Sequence, residues 1–292
     1  MGHRAGFVNI IGKPNVGKST LMNELVGEKL SIITSKKQTT RHRILGIVNE
    51  EDYQIVFSDT PGYLKPNYKL QESMMKFVEA ALLDADVFLF ITAADEKEEE
   101  EDEIIEKLKN TEVPVIVVIN KIDLSDQTKI EKLYDVWQKK IPNAKVLPIS
   151  ALHKFNVDTL FKLILELIPE SPPYYPKDEL TNKTMRFFVS EIIREKIFLN
   201  YHQELPYSTE VIVDAYKEEK NIINIMAYIF VVRESQKAII LGHEGSAIKK
   251  AATAARLDIE EFVGKKVFLE IRVKVSKDWR NDPNKLKQLG YD

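Results

Sequence analysis

Gly12-Lys13-Pro14-Asn15-Val16-Gly17-Lys18-Ser19 is the stretch on which the reading of this sequence turns. It satisfies G-x-x-x-x-G-K-[ST] without a mismatch, and its surroundings are those the motif requires: the apolar run Phe7–Ile11 before it reads as a strand, and 18–27 as a helix. Glycines let the backbone fold back so that several N–H groups point at phosphate oxygens. The helix adds the partial positive charge of its first turn. Lys18 would then reach the β- and γ-phosphates, the Ser19 hydroxyl would bind Mg²⁺, and Thr20 belongs to the same cradle.

Outward from the cradle, apolar runs alternate with helical patterns. Strands are predicted at Phe7–Ile11, Ile44–Val48, Gln54–Ser58, Val87–Thr92, Val115–Ile119 and Val146–Ile149, and helices at 18–27, 68–83, 98–110, 126–140 and 156–168. Near-continuous apolar strands such as Val115–Ile119 suit burial on both faces, hence an open α/β sheet that is mostly parallel. Ile44–Val48 and Gln54–Ser58, only five residues apart, predict one antiparallel hairpin at its edge.

The ends of these strands carry the rest of the chemistry. Asn120-Lys121-Ile122-Asp123 closes the strongest strand. A carboxylate only accepts hydrogen bonds, and guanine presents N1–H and N2–H₂ side by side, whereas adenine presents an acceptor at N1. Asp123 therefore selects guanine over adenine and argues against an ATPase. Asn120 can donate to N7 and tie down neighbouring loops, the Lys121 stem can pack along the base, and Ser150-Ala151-Leu152 can place a backbone N–H at guanine O6. Asp59-Thr60-Pro61-Gly62 closes another strand; Asp59 suits Mg²⁺ through water and the Gly62 N–H suits a γ-phosphate. In Gln38-Thr39-Thr40-Arg41, one threonine hydroxyl would complete the Mg²⁺ shell, with Thr40 favoured over Thr39. The acidic run Asp95–Glu106 reads as a solvated helix start and is assigned no chemistry.

Pro169, Pro172, Pro173 and Pro176 mark a boundary, because proline removes a donor and disfavours helix in the preceding residue. The division expected is 1–170, a linker at 171–181, and a smaller α+β domain at 182–292. Beyond the linker, helices are predicted at Met185–Asn200 and Ser246–Phe262, and strands at Glu210–Tyr216, Ile222–Val232 and Val267–Val275; Lys237–Leu241 stays open between helix and strand. Gly242-His243-Glu244-Gly245 precedes the second helix, with Lys249, Lys250 and Arg256 inside it. A GXXG loop lets backbone approach sugar-phosphate, as KH modules do with single-stranded RNA. Here the acidic Glu244 leaves the phosphate load to the three basic residues. Ala251, Ala252 and Ala255 could floor a base groove or pack a core.

Composition is consistent with this. No run of 18 apolar residues exists, so no transmembrane helix is expected. Cysteine is absent, which excludes disulfides and thiolate ligands and agrees with a cytoplasmic setting. Residues 171–292 carry 20 basic and 18 acidic side chains against 22 and 27 before them, so a polyanion would meet the second part.

These residues together resemble the translation-factor-like GTPases, and more narrowly the Era family. The resemblance extends through Arg186-Phe187, Ser190-Glu191-Ile192-Ile193-Arg194-Glu195-Lys196, Glu204-Leu205-Pro206-Tyr207-Ser208 and Leu289-Gly290-Tyr291. It implies a P-loop GTPase domain followed by a KH domain, with GTP/GDP and Mg²⁺ as ligands. It further implies a monomer that binds the 3′ region of 16S ribosomal RNA and serves maturation of the 30S subunit. Catalysis would rest on Lys18, Thr40, Gly62 and Asn15. Tyr63 stands where Ras-like proteins carry a water-orienting glutamine, so slow intrinsic turnover is expected. Asn15 would either help hold a K⁺ ion beside the phosphates or stabilise the turn after Pro14. The rival reading is a peripheral membrane or cell-cycle signalling GTPase, at the inner face of the membrane in the first case, with RNA incidental; no basic amphipathic anchor supports it.

Overall fold

The computed structural model describes residues 2–96 and 103–291. They form two units. One comprises the chain up to Ser31, Thr40–Lys65 and Met74–Asn182; the other comprises Ile32–Thr39, Pro66–Ser73 and the chain from Lys183.

In the first unit, a six-stranded sheet runs in the order β2-β3-β1-β4-β5-β6. Its strands are β1 (Arg4–Gly12), β2 (Ile44–Asn49), β3 (Tyr53–Asp59), β4 (Val87–Ala93), β5 (Val115–Asn120) and β6 (Lys145–Pro148). Helices α1 (Lys18–Val26), α2 (Lys69–Leu83), α3 (Glu103–Lys109), α4 (Gln127–Lys140) and α5 (Val157–Leu167) alternate with them, the first turn of α2 grouping with the second unit. Every residue of β4 and β5 is buried, the signature of strands covered on both faces. All neighbours are parallel except β2 and β3, the expected hairpin. The helix expected over 98–110 is described only as α3; residues 97–102, with most of the acidic run, lie outside the described residues. Because β1, β3, β5 and β6 are parallel, Gly12, Asp59, Asn120 and Ser150 reach one edge of the sheet, outside the carboxyl ends where open α/β folds bind ligands.

The proline-rich stretch is more than a spacer. An edge strand leaves N–H groups unpaired, and residues 174–182 meet those of β2. Ile47 N donates to Leu180 O at 2.8 Å and Leu45 N to Asn182 Oδ1 at 3.2 Å. Buried Gln54 accepts from Tyr174 N at 2.7 Å and Tyr175 N at 3.0 Å, and its Nε2 donates to Tyr175 O at 2.8 Å. Composition marked the break; only tertiary hydrogen bonding shows that the segment is pinned.

In the second unit, α6 (Met185–Asn200), β7 (Glu210–Glu218), β8 (Ile222–Val231), α7 (Glu234–Leu241), α8 (Ser246–Val263) and β9 (Lys266–Val275) make an α-β-β-α-α-β order, followed by α9 (Pro283–Gln288). β8 is central, antiparallel to β7 and parallel to β9. Its inward side chains Ile223, Ile225, Ala227, Ile229 and Val231 pack with Ile192, Ile193 and Ile197 of α6 and Ala251, Ala255 and Ile259 of α8. Ala251 and Ala255 are thus core. Lys237–Leu241 is helical. The short α9 escaped the sequence reading; Asp282 caps it from Oδ1, with Pro283 at its first position.

Gln54→Ala would leave two part-buried backbone N–H groups, those of Tyr174 and Tyr175, without their acceptor. The expected cost is about 1–3 kcal/mol, read as a lower urea midpoint with an unchanged slope and unchanged nucleotide affinity.

Candidate functional site: a phosphate cradle and a GXXG loop

The cradle depends on absent side chains. Gly17 has φ +100°, and a Cβ there would lie 2.2 Å from Asn120 Nδ2; at Gly12 a Cβ would lie 2.2 Å from Ile91 O. Neither site tolerates any other residue, so the backbone N–H groups stay bare toward a ligand. Lys18 opens α1 and is buried, its Nζ donating to Gly12 O at 2.9 Å and Lys13 O at 2.8 Å. Burial pushes its ammonium down to about 8, and Asp59 and Glu96 partly offset that. Gly62 lies against Pro14 of the cradle.

Three oxygen-bearing side chains converge beside Lys18. Ser19 Oγ lies 2.7 Å from Asp59 Oδ2 and 2.9 Å from Thr40 Oγ1, and Thr40 Oγ1 donates to Asp59 Oδ2 at 3.4 Å. Asp59 Oδ1 is buried without a hydrogen-bond partner. Burial raises the Asp59 carboxyl, while Ser19 and Lys18 act in the opposite sense. Hard oxygen donors with one orphaned carboxylate oxygen fit Mg²⁺. Of the two adjacent threonines, Thr40 is the one that converges here. Thr39 Oγ1 instead meets Thr34 Oγ1 at 2.6 Å and Lys36 O at 2.7 Å.

At the base-reading end, Asn120 Nδ2 donates to Val16 O at 2.9 Å and its Oδ1 accepts the Ala151 N–H at 3.0 Å. The Ala151 N–H, expected among those facing guanine O6, is engaged in this tie. Asp123 Oδ1 accepts from Ser150 Oγ at 2.5 Å, which orients the carboxylate. Lys121 takes φ 60° at the end of β5. Tyr63 stacks on Phe90 with centroids 6.5 Å apart, part of the packing around the β4–β5 core. Asn15 has φ 67°, a conformation asparagine accepts more readily than most residues.

The sequence reading missed two residues. Glu96 pairs with Lys13 at 3.4 Å and accepts from Thr92 Oγ1 at 2.9 Å, and Asp95 pairs with Lys121 at 3.6 Å. The acidic run was assigned no chemistry, yet its first two members hold site lysines. Their position just past the end of β4 was the available signal.

In the second unit, the GXXG loop joins α7 to α8. Gly242 has φ +71°, and a Cβ there would lie 2.7 Å from Ala247 Cβ; Gly245 has φ +75° and open space. Glu244 sits at φ 50°, which turns the chain sharply at the tip. His243, Glu244, Lys249 and Lys250 are exposed. Arg256, expected to share the phosphate load, pairs with Glu260 at 2.8 Å.

Two outcomes follow from the first unit's geometry. Phosphate needs Lys18 protonated, and burial brings its pKa to about 8. Nucleotide affinity should therefore hold below pH 8 and fall toward tenfold per unit above it, with proton uptake on binding at pH 8–9, measured by calorimetry in buffers of different ionisation enthalpy. Asp123→Asn should weaken GTP by about 2 kcal/mol and admit xanthosine triphosphate, whose base offers an acceptor where guanine has an amino group; competition binding reads both.

A family model described as 50S ribosome-binding GTPase matches residues 7–121, and one described as KH domain matches residues 204–280. The chain is 44% identical over 290 residues to GTPase Era of Clostridium kluyveri, covering 99% of each. It is 51% identical over 295 residues to a chloroplastic GTPase ERA-like protein of Oryza sativa subsp. japonica, covering 99% of this chain and 70% of the relative. A crystal structure of Era in complex with MgGDPNP and nucleotides 1506–1542 of 16S ribosomal RNA matches with TM-score 0.94 at 41% identity, covering 99% of both chains. With both domain models matched and relatives 43–44% identical over their full length, the chain belongs to the Era family of GTPases.

Proposed function

We propose that this GTPase binds the 3′ region of 16S ribosomal RNA through its GXXG loop and uses GTP hydrolysis to time maturation of the 30S subunit in the cytoplasm. The observation that carries the reading is the presence, in one chain, of a guanine-selective phosphate cradle and a KH unit whose glycine loop is bare at its tip. The Era structure bound to MgGDPNP and 16S nucleotides supports it.

In this reading Gly12–Thr20 wrap the phosphates, Lys18 neutralises charge developing between β and γ, and Asp123, with Asn120, Lys121 and Ser150–Leu152 around it, holds the base. Ser19, Thr40 and Asp59 would hold Mg²⁺, which supplies further charge neutralisation to the phosphates. Thr60 braces the loop by donating to Ile10 O at 2.7 Å, while Pro61 and Gly62 carry the chain past the cradle. Tyr63, stacked on Phe90, stands where Ras-like proteins carry the water-orienting glutamine, and slow intrinsic turnover is the expected result.

On the RNA side, Gly242 and Gly245 allow the backbone to approach phosphate, and Lys249 and Lys250 supply charge at the start of α8. Among the described residues no helix is long and apolar enough to cross a membrane. Replacing His243 and Glu244 by two aspartates adds negative charge at the loop without touching the glycines. Single-stranded RNA binding should weaken about tenfold, or about 1.4 kcal/mol, with GTP affinity unchanged. Undiminished RNA binding together with intact 30S maturation would remove the clamp and favour the membrane-signalling rival.

A further inference from the structure

Residues 32–39, which lead into Thr40, belong to the second unit, and three contacts fix them to α6. Ile33 N donates to Glu195 Oε1 at 3.2 Å. Lys36 Nζ donates to the carbonyls of Phe198 and Tyr201, at the end of α6. Arg194 Nη2 donates to Thr39 O at 2.5 Å. The last contact is unusual in its setting. Arg194 is 0% exposed, and Glu191 one turn earlier is 5% exposed. Arg194 Nε and Nη2 both bond the Glu191 carboxylate, at 2.7 and 2.5 Å. Glu210 also faces the guanidinium and accepts the Tyr291 hydroxyl at 2.6 Å, while Arg194 Nη1 has no hydrogen-bond partner.

A buried arginine is costly to keep unless its partners are well placed. Here one carboxylate fixes the guanidinium plane, and one of its nitrogens is left aimed at a single backbone oxygen. That oxygen belongs to the amide joining Thr39 to Thr40. A peptide group is planar, so fixing the Thr39 carbonyl also fixes the direction of the Thr40 N–H and the point from which Thr40 departs. Within 32–39, bonds with Thr34 and Lys36 hold the Thr39 hydroxyl, whereas the Thr39 carbonyl is held by Arg194.

We propose that Arg194, clamped by Glu191, is a positioning residue for the Thr40 hydroxyl: a helix of the KH unit sets the place of a Mg²⁺ ligand. The inference rests on the reading of Thr40 as a Mg²⁺ ligand. It adds that the ligand's placement is set through the Thr39–Thr40 amide, which Arg194 holds at the Thr39 carbonyl.

The test uses the full chain and the binding of a fluorescent, non-hydrolysable GTP analogue titrated with Mg²⁺, so that no turnover is needed. Arg194→Met should raise the half-saturating Mg²⁺ about tenfold, the scale expected when a ligand is displaced by a fraction of an ångström. Affinity for fluorescent GDP in EDTA should not change. Arg194→Lys keeps a cation beside Glu191 but lacks the fork needed to reach Thr39 as well, so it should show the same shift in a protein whose thermal unfolding remains cooperative. It decides the matter if Arg194→Met fails to fold. Thr40→Ala separates the two readings: it should raise the Mg²⁺ requirement by itself and make Arg194→Lys without further effect in the double variant. A shift in Thr40→Ala with none in folded Arg194→Lys overturns the positioning role and leaves Thr40 as the ligand. No shift in Thr40→Ala overturns the ligand reading itself.

Discussion

Asn120 presents one amide to two different loops, donating from Nδ2 to Val16 O and accepting at Oδ1 from the Ala151 N–H. The residue is 2% exposed, so neither loop can exchange these bonds for water. Each is worth about 1 kcal/mol net, but losing the side chain would orphan buried partners at about 1–3 kcal/mol apiece. The same proximity makes Gly17 obligatory, since any Cβ there would strike Nδ2. Phosphate cradle and base reader are thus one construction. The residue that joins them stands at the end of β5, a strand buried along its whole length.

That enclosure explains what was legible in the sequence. Strands buried on both faces read as unbroken apolar runs, and the loops after them carry the signature residues at fixed places, so the mostly parallel sheet and the KH elements could be read in advance. The convergence of Gly12–Ser19, Asp59 and Asn120 at one sheet edge follows from parallel topology alone. What was not legible depends on contacts distant in sequence. The tie between Gln54 and residues 174–175, and the pairing of Asp95 and Glu96 with site lysines, join positions whose local sequence suggests only a linker and a solvated helix start.

The two threonines show the limit at single-residue scale. Thr39 and Thr40 are identical in type and adjacent, and propensity cannot separate them. The distinction arises because Thr34 and Lys36 engage the Thr39 hydroxyl, leaving Thr40 to face Ser19 and Asp59. A loop thus settles its own register by satisfying one hydroxyl internally. The cost of an unsatisfied buried hydroxyl makes the alternative register poor.

This arrangement bears on how a GTPase can serve as a switch. The stretches 32–39 and 66–73, which flank Thr40 and follow Gly62, group with the second unit rather than with the cradle. Within that unit Tyr68 donates to Gln38 Oε1 at 2.9 Å and lies under Arg280, with 4.9 Å from guanidinium carbon to ring centroid, so the two stretches are joined to each other and to the C-terminal part. A γ-phosphate and its Mg²⁺ that favour one setting of Thr40 must then favour one setting of residues 32–39. On the proposed role of Thr40, linkage would return to GTP binding whatever free energy stabilises that setting of residues 32–39. Such a device needs the GTP state to persist long enough to be read. Tyr63, packed on Phe90, stands where a water-orienting glutamine would, and the slow turnover expected from that exchange would give the GTP state time to be read.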